Sequence, residues 1–195
     1  MPKIVNHDLR REELAAATWR ALARRGLEAT TVRLVAEEAG TSTGVLAHYF
    51  RDKNDLLLFA LRLASTRAAG RMMVHATERT GIDALRAVSL EALPLDRERR
   101  LEWRVWLAFW GQAVVSATLA AEQRHRYDAW RRLIGRLLSD ALGKRAVGVD
   151  VESEADALIA FIDGTGIQAT FEPRRMTPQR QTDAIDRYLE RLLRR

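Results

Sequence analysis

The sequence predicts an all-α protein built from about nine helices. Apolar residues recur at the 3.6-residue spacing of helices almost throughout, and no segment alternates apolar and polar residues as a half-buried strand does. Only four Pro and eleven Gly occur in 195 residues, which is typical of helical proteins rather than of sandwiches or barrels. We predict a small three-helix N-terminal domain over residues 1–52 and a larger helical domain over residues 53–195.

Capping and breaking residues divide the first part of the chain into three short helices. Gly26 ends the first helix, and Gly40 ends the second, because glycine readily adopts the conformations in which helices stop. Thr30 or Thr31 caps the second helix, and Ser42 is a cap for the third. The three helices are predicted at about residues 8–25, 31–38 and 42–48.

Near residue 52 the pattern changes from short helices joined by tight turns to longer amphipathic helices. Pro94 separates the fifth helix from the sixth, and Gly143 begins a loop after the seventh. Ser153 caps the eighth helix in a capping-box arrangement, and Pro178 opens the last helix. These six helices are predicted at about residues 52–79, 82–93, 97–116, 118–142, 154–171 and 178–194.

Composition and motif content exclude several classes of protein. Cysteine is absent, which excludes disulfides, thiolate nucleophiles and Cys-based metal centres. The 32 Lys and Arg against 26 Asp and Glu give a net charge of +6, which suggests a polyanionic partner, but the excess is spread along the chain. The four histidines form no metal-binding spacing, and no P-loop, GxSxG or GxGxxG is present. We therefore predict no metal, no cofactor and no enzymatic activity.

No segment of the sequence has the character of a membrane anchor or of a secretory signal. The opening stretch, Met1–Asp8, is short and polar. The longest uncharged run, Val105–Ala121, is also too short and too polar for a membrane span. We expect a cytoplasmic protein that does not enter a membrane.

A helix-turn-helix pattern occupies about residues 31–50. Two short helices that cross steeply need a small residue at their contact, which Ala36 supplies. The turn needs a residue that tolerates positive φ, and Gly40 lies four positions on. Val45 and Leu46 are placed to pack back onto the first helix of the pair. The spacing of these residues predicts a DNA-binding unit whose second helix enters the major groove.

The residues that open this second helix are short and uncharged, so the helix can approach the bases closely. Their hydroxyl groups can bond bases or phosphates, and a Thr methyl can contact thymine. Lys53 is a cation for a phosphate, and the helix start near Thr31 offers backbone N–H groups to another. Tyr49 can contact the sugar–phosphate backbone or pack in the core, whereas Phe50 is expected in the core. The candidate DNA contacts are Thr31, Arg33, Thr41, Ser42, Thr43, Gly44, His48, Tyr49 and Lys53.

The run Ala36–Leu57, AEEAGTSTGVLAHYFRDKNDLL, resembles the DNA-binding signature of the TetR family of bacterial transcriptional repressors. The sequence HYFRDKN from His48 to Asn54 is similar to that of the BetI-like branch of the family. Two positions depart from the family pattern: Ala47 stands where many members have Tyr, and Thr43 where Lys or Asn is frequent. The operator sequence therefore does not follow from the resemblance.

The resemblance implies a homodimer that binds a palindromic DNA operator and a small-molecule effector that releases it. Trp103, Trp106 and Trp110 form one stripe of the sixth helix, which by spacing alone is more often core than pocket. In the family the middle helices surround the effector cavity, indole faces attract cations, and BetI regulators are associated with choline. These three residues with Asp163 are the candidate pocket for choline or a related quaternary amine, in control of glycine betaine synthesis.

The resemblance also implies that the last two helices pair with their copies in a four-helix dimer interface. Small and apolar residues recur on one face of each helix, although part of each stripe can instead pack inward. The candidate interface residues are Leu158, Ile162, Gly166, Ala169, Ile185, Leu189 and Leu192. Two other functions stay open: a TetR-family regulator of an unrelated metabolic or efflux gene with a different effector, and a helical adaptor without regulatory DNA binding.

Overall fold

A computed structural model of the protein describes residues 7–194, without the side chains of Leu27 and Glu28. All of the described chain is helical or in turns, so the predicted all-α class is confirmed. No helix among these residues combines the length and the apolar character that crossing a membrane requires. The helices are α1 (His7–Ala29), α2 (Val32–Glu38), α3 (Thr43–Tyr49), α4 (Lys53–Glu78), α5 (Gly81–Glu91), α6 (Arg97–Ala113), α7 (Ala117–Leu142), α8 (Val151–Phe171) and α9 (Pro178–Leu193), with a 3-10 segment at Gly143–Gly148.

The first three helices fold around a small core of their own, closed by the start of α4. Leu14 of α1, Val35 and Ala36 of α2, and Leu46 of α3 are all buried in this cluster. Phe50 is 5% exposed and belongs to the same cluster, as expected. Gly26 leaves the helical conformation with φ 78° and ψ 174°, so the regular part of α1 ends where the sequence predicts a stop.

The long helix α4 connects this N-terminal unit to the rest of the molecule. Its first turns pack beneath Phe50, and its later turns lie against α5 and α6. Helix α1 also contacts α6, where Leu22 and Ala23 bury Val105. A second, larger core lies among α5, α7, α8 and α9. Helix α4 therefore contacts both cores.

The start of α8 corrects one predicted cap. The helix begins at Val151 rather than near residue 154, because Asp150 and not Ser153 is the N-cap. The Asp150 carboxylate accepts the Ser153 N–H at 3.1 Å and the Ser153 hydroxyl at 2.7 Å. A carboxylate at this position also complements the positive end of the helix dipole. The last helix begins as predicted, with Thr177 as cap and Pro178 in its first turn.

The predicted dimer-interface residues of α8 and α9 lie inside a single chain, and this prediction was wrong in its choice of face. None of the seven is more than 6% exposed where an exposure is given, and Gly166 is also buried. Side chains that are already covered by their own chain offer no surface to a partner. The residues concerned are Leu158, Ile162, Gly166, Ala169, Ile185, Leu189 and Leu192.

Candidate nucleic-acid interface and effector cavity

The turn between α2 and α3 has the geometry that a helix-turn-helix requires. Gly40 has a φ of 60°, which only glycine adopts without strain. Its N–H donates to the Glu37 carbonyl at 3.1 Å, and the Thr41 N–H donates to the Ala36 carbonyl at 2.9 Å. This pair of bonds is a Schellman motif, which satisfies the last carbonyls of α2 and turns the chain sharply into α3.

Helix α3 is anchored on one side and open on the other. The Ser42 hydroxyl accepts the Val45 N–H at 3.3 Å and caps the helix. Leu46 is 2% exposed and packs on Val35 and Ala36, which holds the helix against α2. The opposite face is exposed, so the small residues that open α3 are accessible to a DNA groove.

All nine predicted DNA contacts lie at the surface of the N-terminal unit, and none is buried. The exposed ones are Thr31, Arg33, Ser42, Thr43, Gly44 and His48, and the half-buried ones are Thr41, Tyr49 and Lys53. Tyr49 has a mixed environment because its ring lies 5.3 Å from the rings of both His7 and His48. The Thr31 hydroxyl is occupied in capping α2, where it accepts the Leu34 N–H at 3.2 Å.

Two residues near this surface were not singled out from the sequence. Arg51, in the turn between α3 and α4, has 89% of its side chain exposed and lies two residues before Lys53. His7, at the start of α1, packs against the aromatic pair of α3. A basic residue directly after a recognition helix is a usable sequence signal for Arg51. The position of His7 follows only from the way α1 crosses α3.

The middle helices enclose a cavity of about 670 Å³, which is a suitable size for a small molecule. Its walls come from α4, α5, α6, α7 and α8. The structure brings all four predicted pocket residues to this one cavity: Trp103, Trp106, Trp110 and Asp163. Tyr127 and Trp130 of α7 complete an aromatic lining that the sequence analysis did not assign, although their i, i+3 spacing is a detectable stripe.

The three predicted Trp side chains have different environments. Trp103 is 5% exposed, and its indole N–H donates to the Ala92 carbonyl at 2.9 Å. Its ring meets that of Trp110 edge-on, with 5.7 Å between the ring centroids. One face of Trp106 is covered by the guanidinium of Arg126, 4.6 Å from the ring centroid. Trp103 is therefore a fixed wall, and one face of Trp106 already holds a cation.

Gly166 of α8 provides the space in which Trp103 sits. A Cβ atom at residue 166 would lie 2.5 Å from Cε2 of Trp103 and would overlap Cζ2 and Cη2. Any larger residue at this position would push the indole or the helix away. The role of Gly166 is thus contact between α6 and α8 within one chain, on the wall of the cavity.

Asp163 lies in this aromatic surrounding without a cationic partner. Its carboxylate accepts the Tyr127 hydroxyl at 2.7 Å, and no described Lys, Arg or His nitrogen forms an ion pair with it. Burial raises the pKa of Asp163 to about 6, partly offset by the Tyr127 hydrogen bond. Burial also raises the pKa of Tyr127, reinforced by the negative charge of Asp163. Near pH 7 the cavity therefore holds a desolvated carboxylate.

The other three carboxylates of the cavity lining are paired with arginines. Glu102 binds Arg71 at 2.7 Å, and burial still raises its pKa above the usual value. Glu91 also binds Arg71, and Glu122 binds Arg62 at 2.7 Å. Among these groups Asp163 is the one whose charge a bound cation would balance.

A band of residues on the outside of α8 is exposed or half-buried in the single chain, and all but one of its side chains are small or apolar. Its members recur at alternating steps of four and three residues, which is the spacing of one helix face. They are Ala157, Phe161, Gly164, Gln168 and Phe171, and we call this band the α8 outer face. Phe171 is 73% exposed, and Phe161 contacts the ring of Tyr188 on α9 at 4.8 Å. Large exposed apolar surface of this kind is typical of protein–protein interfaces.

An exposed recognition helix, joined through α4 to a body with an aromatic cavity, defines the class of helix-turn-helix transcriptional regulators. Residues 14–59 match the family of bacterial regulatory proteins of the tetR family, and residues 81–194 match the C-terminal region of BetI-type transcriptional repressors. The chain belongs to the TetR family of bacterial transcriptional regulators, with a BetI-type C-terminal region. It is a DNA-binding regulator and not an enzyme.

Individual relatives agree with this assignment over most of the chain. The HTH-type transcriptional regulator PksA of Bacillus subtilis is 32% identical over 192 residues, which cover 97% of this chain and 93% of that protein. The HTH-type transcriptional regulator BetI of Burkholderia ambifaria is 32% identical over 84% of each chain. A transcriptional regulator from Saccharomonospora viridis, solved in complex with choline, has a TM-score of 0.85 at 26% identity and covers 94% of this chain and 96% of its own.

Proposed function

We propose that the protein is a homodimeric repressor that binds a palindromic operator and is released from it by a small-molecule effector in the α4–α8 cavity. The candidate effector is choline or a related quaternary amine, with control of glycine betaine synthesis as the outcome. The observation that carries the effector class is the unpaired carboxylate of Asp163 among aromatic side chains. In this proposal residues 1–52 read DNA in the cytoplasm, and residues 53–195 bind the effector and the second copy.

Dimerisation is supported by the α8 outer face together with the adjoining surface of α9. Small residues at Ala157 and Gly164 allow two copies of α8 to approach closely, and Phe171 supplies apolar area at one end. A dimer of this kind places two copies of α3 on one duplex, and a two-fold operator then matches the symmetry of the protein. Light scattering at micromolar concentration measures this directly, and a stable monomer would contradict it.

The nine candidate contacts predict two different responses to substitution in the N-terminal unit. Lys53→Ala is expected to weaken binding to all operator sequences about three- to tenfold and to reduce the salt slope by about one per protomer, because a phosphate contact carries no sequence information. Thr43→Ala is instead expected to change the preference among operator sequences, because residue 43 faces base edges. Mobility shift on the promoter of its own gene, over a salt series, distinguishes the two effects.

The matched control for these variants is Lys144→Ala. Residue 144 is exposed in the 3-10 segment after α7, and its loss changes the net charge as Lys53→Ala does. We expect Lys144→Ala to bind DNA as the parent protein does. If Lys53→Ala and Thr43→Ala both behave like this control, α3 is not the DNA-reading helix, and a helical adaptor becomes the better description.

The effector proposal predicts that choline binding depends on pH through Asp163. A quaternary ammonium binds the ionised carboxylate, so affinity is expected to be full above the Asp163 pKa of about 6 and to fall as pH drops below it. Between pH 7 and pH 5 the ionised fraction decreases about tenfold, and the apparent Kd for choline should rise by about the same factor. Isothermal titration calorimetry at the two pH values measures the change.

Asp163→Asn is the control for this pH dependence. The amide oxygen can still accept the Tyr127 hydroxyl, so the substitution removes the charge with little change of shape. His125 and the other side chains of the cavity lining are unchanged in the variant. We expect Asp163→Asn to bind choline weakly at both pH values. Absence of choline binding to the parent protein, with no effect on operator affinity, would favour a different effector.

A further inference from the structure

Arg126 is a second charged group in the cavity that forms no ion pair. No described carboxylate forms an ion pair with its guanidinium, which instead stacks on Trp106 and donates a long hydrogen bond of 3.4 Å to the Leu61 carbonyl. Burial lowers the pKa of Arg126 to about 10, so the group stays cationic near neutral pH. Glu122 on the same helix attracts Arg126 at longer range, but its hydrogen bonds go to two N–H donors of Arg62.

Most other charged groups of the lining are held in ion pairs, and Arg136 is exposed, which distinguishes Asp163 and Arg126. Four arginines line the cavity together with four carboxylates, and Arg71, beside the lining, binds two of these carboxylates. The lining residues are Arg62, Arg99, Arg126, Arg136, Glu91, Glu102, Glu122 and Asp163. A simple cation would balance Asp163 but leave Arg126 without an anion in contact. A molecule with one positive and one negative group balances both groups.

We propose that the effector is zwitterionic, with an ammonium group bound by Asp163 and a carboxylate bound by Arg126. The inference rests on the proposed function of the cavity as the effector site. A guanidinium presents parallel N–H donors that match the two oxygens of a carboxylate, and this match is strongest where water is excluded. Trp106 holds the plane of the Arg126 guanidinium in place, so little side-chain freedom is lost when the anion binds.

The position of Arg126 links the anionic end of the effector to the helix that carries the DNA-binding unit. The Leu61 carbonyl that Arg126 contacts belongs to α4, and the ion pair between Arg62 and Glu122 joins α4 to α7 at the neighbouring residue. A carboxylate that binds Arg126 competes with this α4 carbonyl for the guanidinium. The anionic end of the zwitterion therefore acts on the contact between α7 and α4.

The test compares trimethylammonium carboxylates of increasing chain length, beginning with glycine betaine and including carnitine, with their own methyl esters. An ester keeps the cation and the shape of its parent acid but lacks the anion. Calorimetry gives the affinities, and fluorescence anisotropy of labelled operator gives the release of DNA. We expect at least one carboxylate to bind about tenfold or more tightly than its ester and to release operator at lower concentration. Arg126→Gln should abolish this difference between acid and ester.

Arg124→Gln is the matched control, because residue 124 is exposed on the same helix and the variant has the same net charge as Arg126→Gln. This control should retain the preference for the acid. If choline and the esters bind and release operator while no carboxylate binds more tightly than its ester, the zwitterion proposal is wrong and the cationic effector stands. If none of these cations binds, both proposals fail. A preference for the acid that survives Arg126→Gln also overturns the assignment of Arg126.

Discussion

Gly164→Arg is expected to convert the proposed dimer into a monomer and to reduce operator affinity by roughly 10²–10⁴-fold. Gly164 lies in the middle of the α8 outer face, and an added Cβ there meets no atom of its own chain within 4 Å. The variant can therefore fold, but each copy would bring a cation into the centre of the apolar interface. Without the dimer the two half-sites bind separately, and the gain in effective concentration from linking two recognition helices is lost.

Size-exclusion chromatography with light scattering and mobility shift on the operator measure the two effects of Gly164→Arg. Gly111→Arg is the control, because Gly111 is an exposed glycine of α6 with no atom within 4 Å of an added Cβ. It introduces the same charge on a helix outside the proposed interface. A Gly164→Arg protein that remains dimeric and binds operator like the control would show that the α8 outer face is not the interface.

Gly166→Ala is expected to destabilise the protein by about 1–3 kcal/mol, because one methyl group must displace Trp103 or α8. This corresponds to a decrease in Tm of roughly 2–12 °C for a chain of this size. Trp103 is also a wall of the effector cavity, so the variant should bind its effector more weakly as well. Thermal unfolding at equal protein concentration and calorimetry measure the two consequences.

Two comparisons connect the effect of Gly166→Ala to Trp103. Gly111→Ala adds the same methyl group to an exposed helical position with free space, and it should be neutral or stabilising by up to about 1 kcal/mol. In a Trp103→Phe background the fused ring that contacts residue 166 is absent. Gly166→Ala should therefore lower the free energy of unfolding by less than it does in the parent protein. An equal decrease in the free energy of unfolding in both backgrounds would show that the added methyl group does not act through the Trp103 ring.

The DNA-binding unit could be predicted from the sequence because its determinants are local. Gly40 is needed for the turn, Ala36 for the close helix contact and Leu46 for the anchor, and all three lie within eleven residues. Their spacing therefore encodes the arrangement almost directly. The same holds for the caps at Thr31, Ser42 and Thr177, whose hydrogen bonds reach only three residues along the chain.

Which side of α8 is buried in the core and which is exposed could not be predicted in the same way. This helix is apolar or small on nearly all sides, so periodicity does not indicate which side enters the core. Packing against α6 and α7 decides the question, and it turns Leu158 and Ile162 inward while Gly164 stays outside. The predicted interface consequently consisted of core residues, and the uncovered band lies on the opposite side of the helix.

The sequence by itself determined the helical class, the helix-turn-helix unit and its candidate contact residues, because these depend on short-range spacing and on local caps. Tertiary structure alone decided how the candidate effector cavity is charged. Asp163 and Arg126 are 37 residues apart in the sequence and resemble the other charged residues around them. Only the packing of α4, α6, α7 and α8 leaves both outside an ion pair while Glu102 and Glu122 are bound by arginines. Because both groups are largely buried, a ligand that supplies the opposite charges is favoured, and no local sequence pattern specifies this burial.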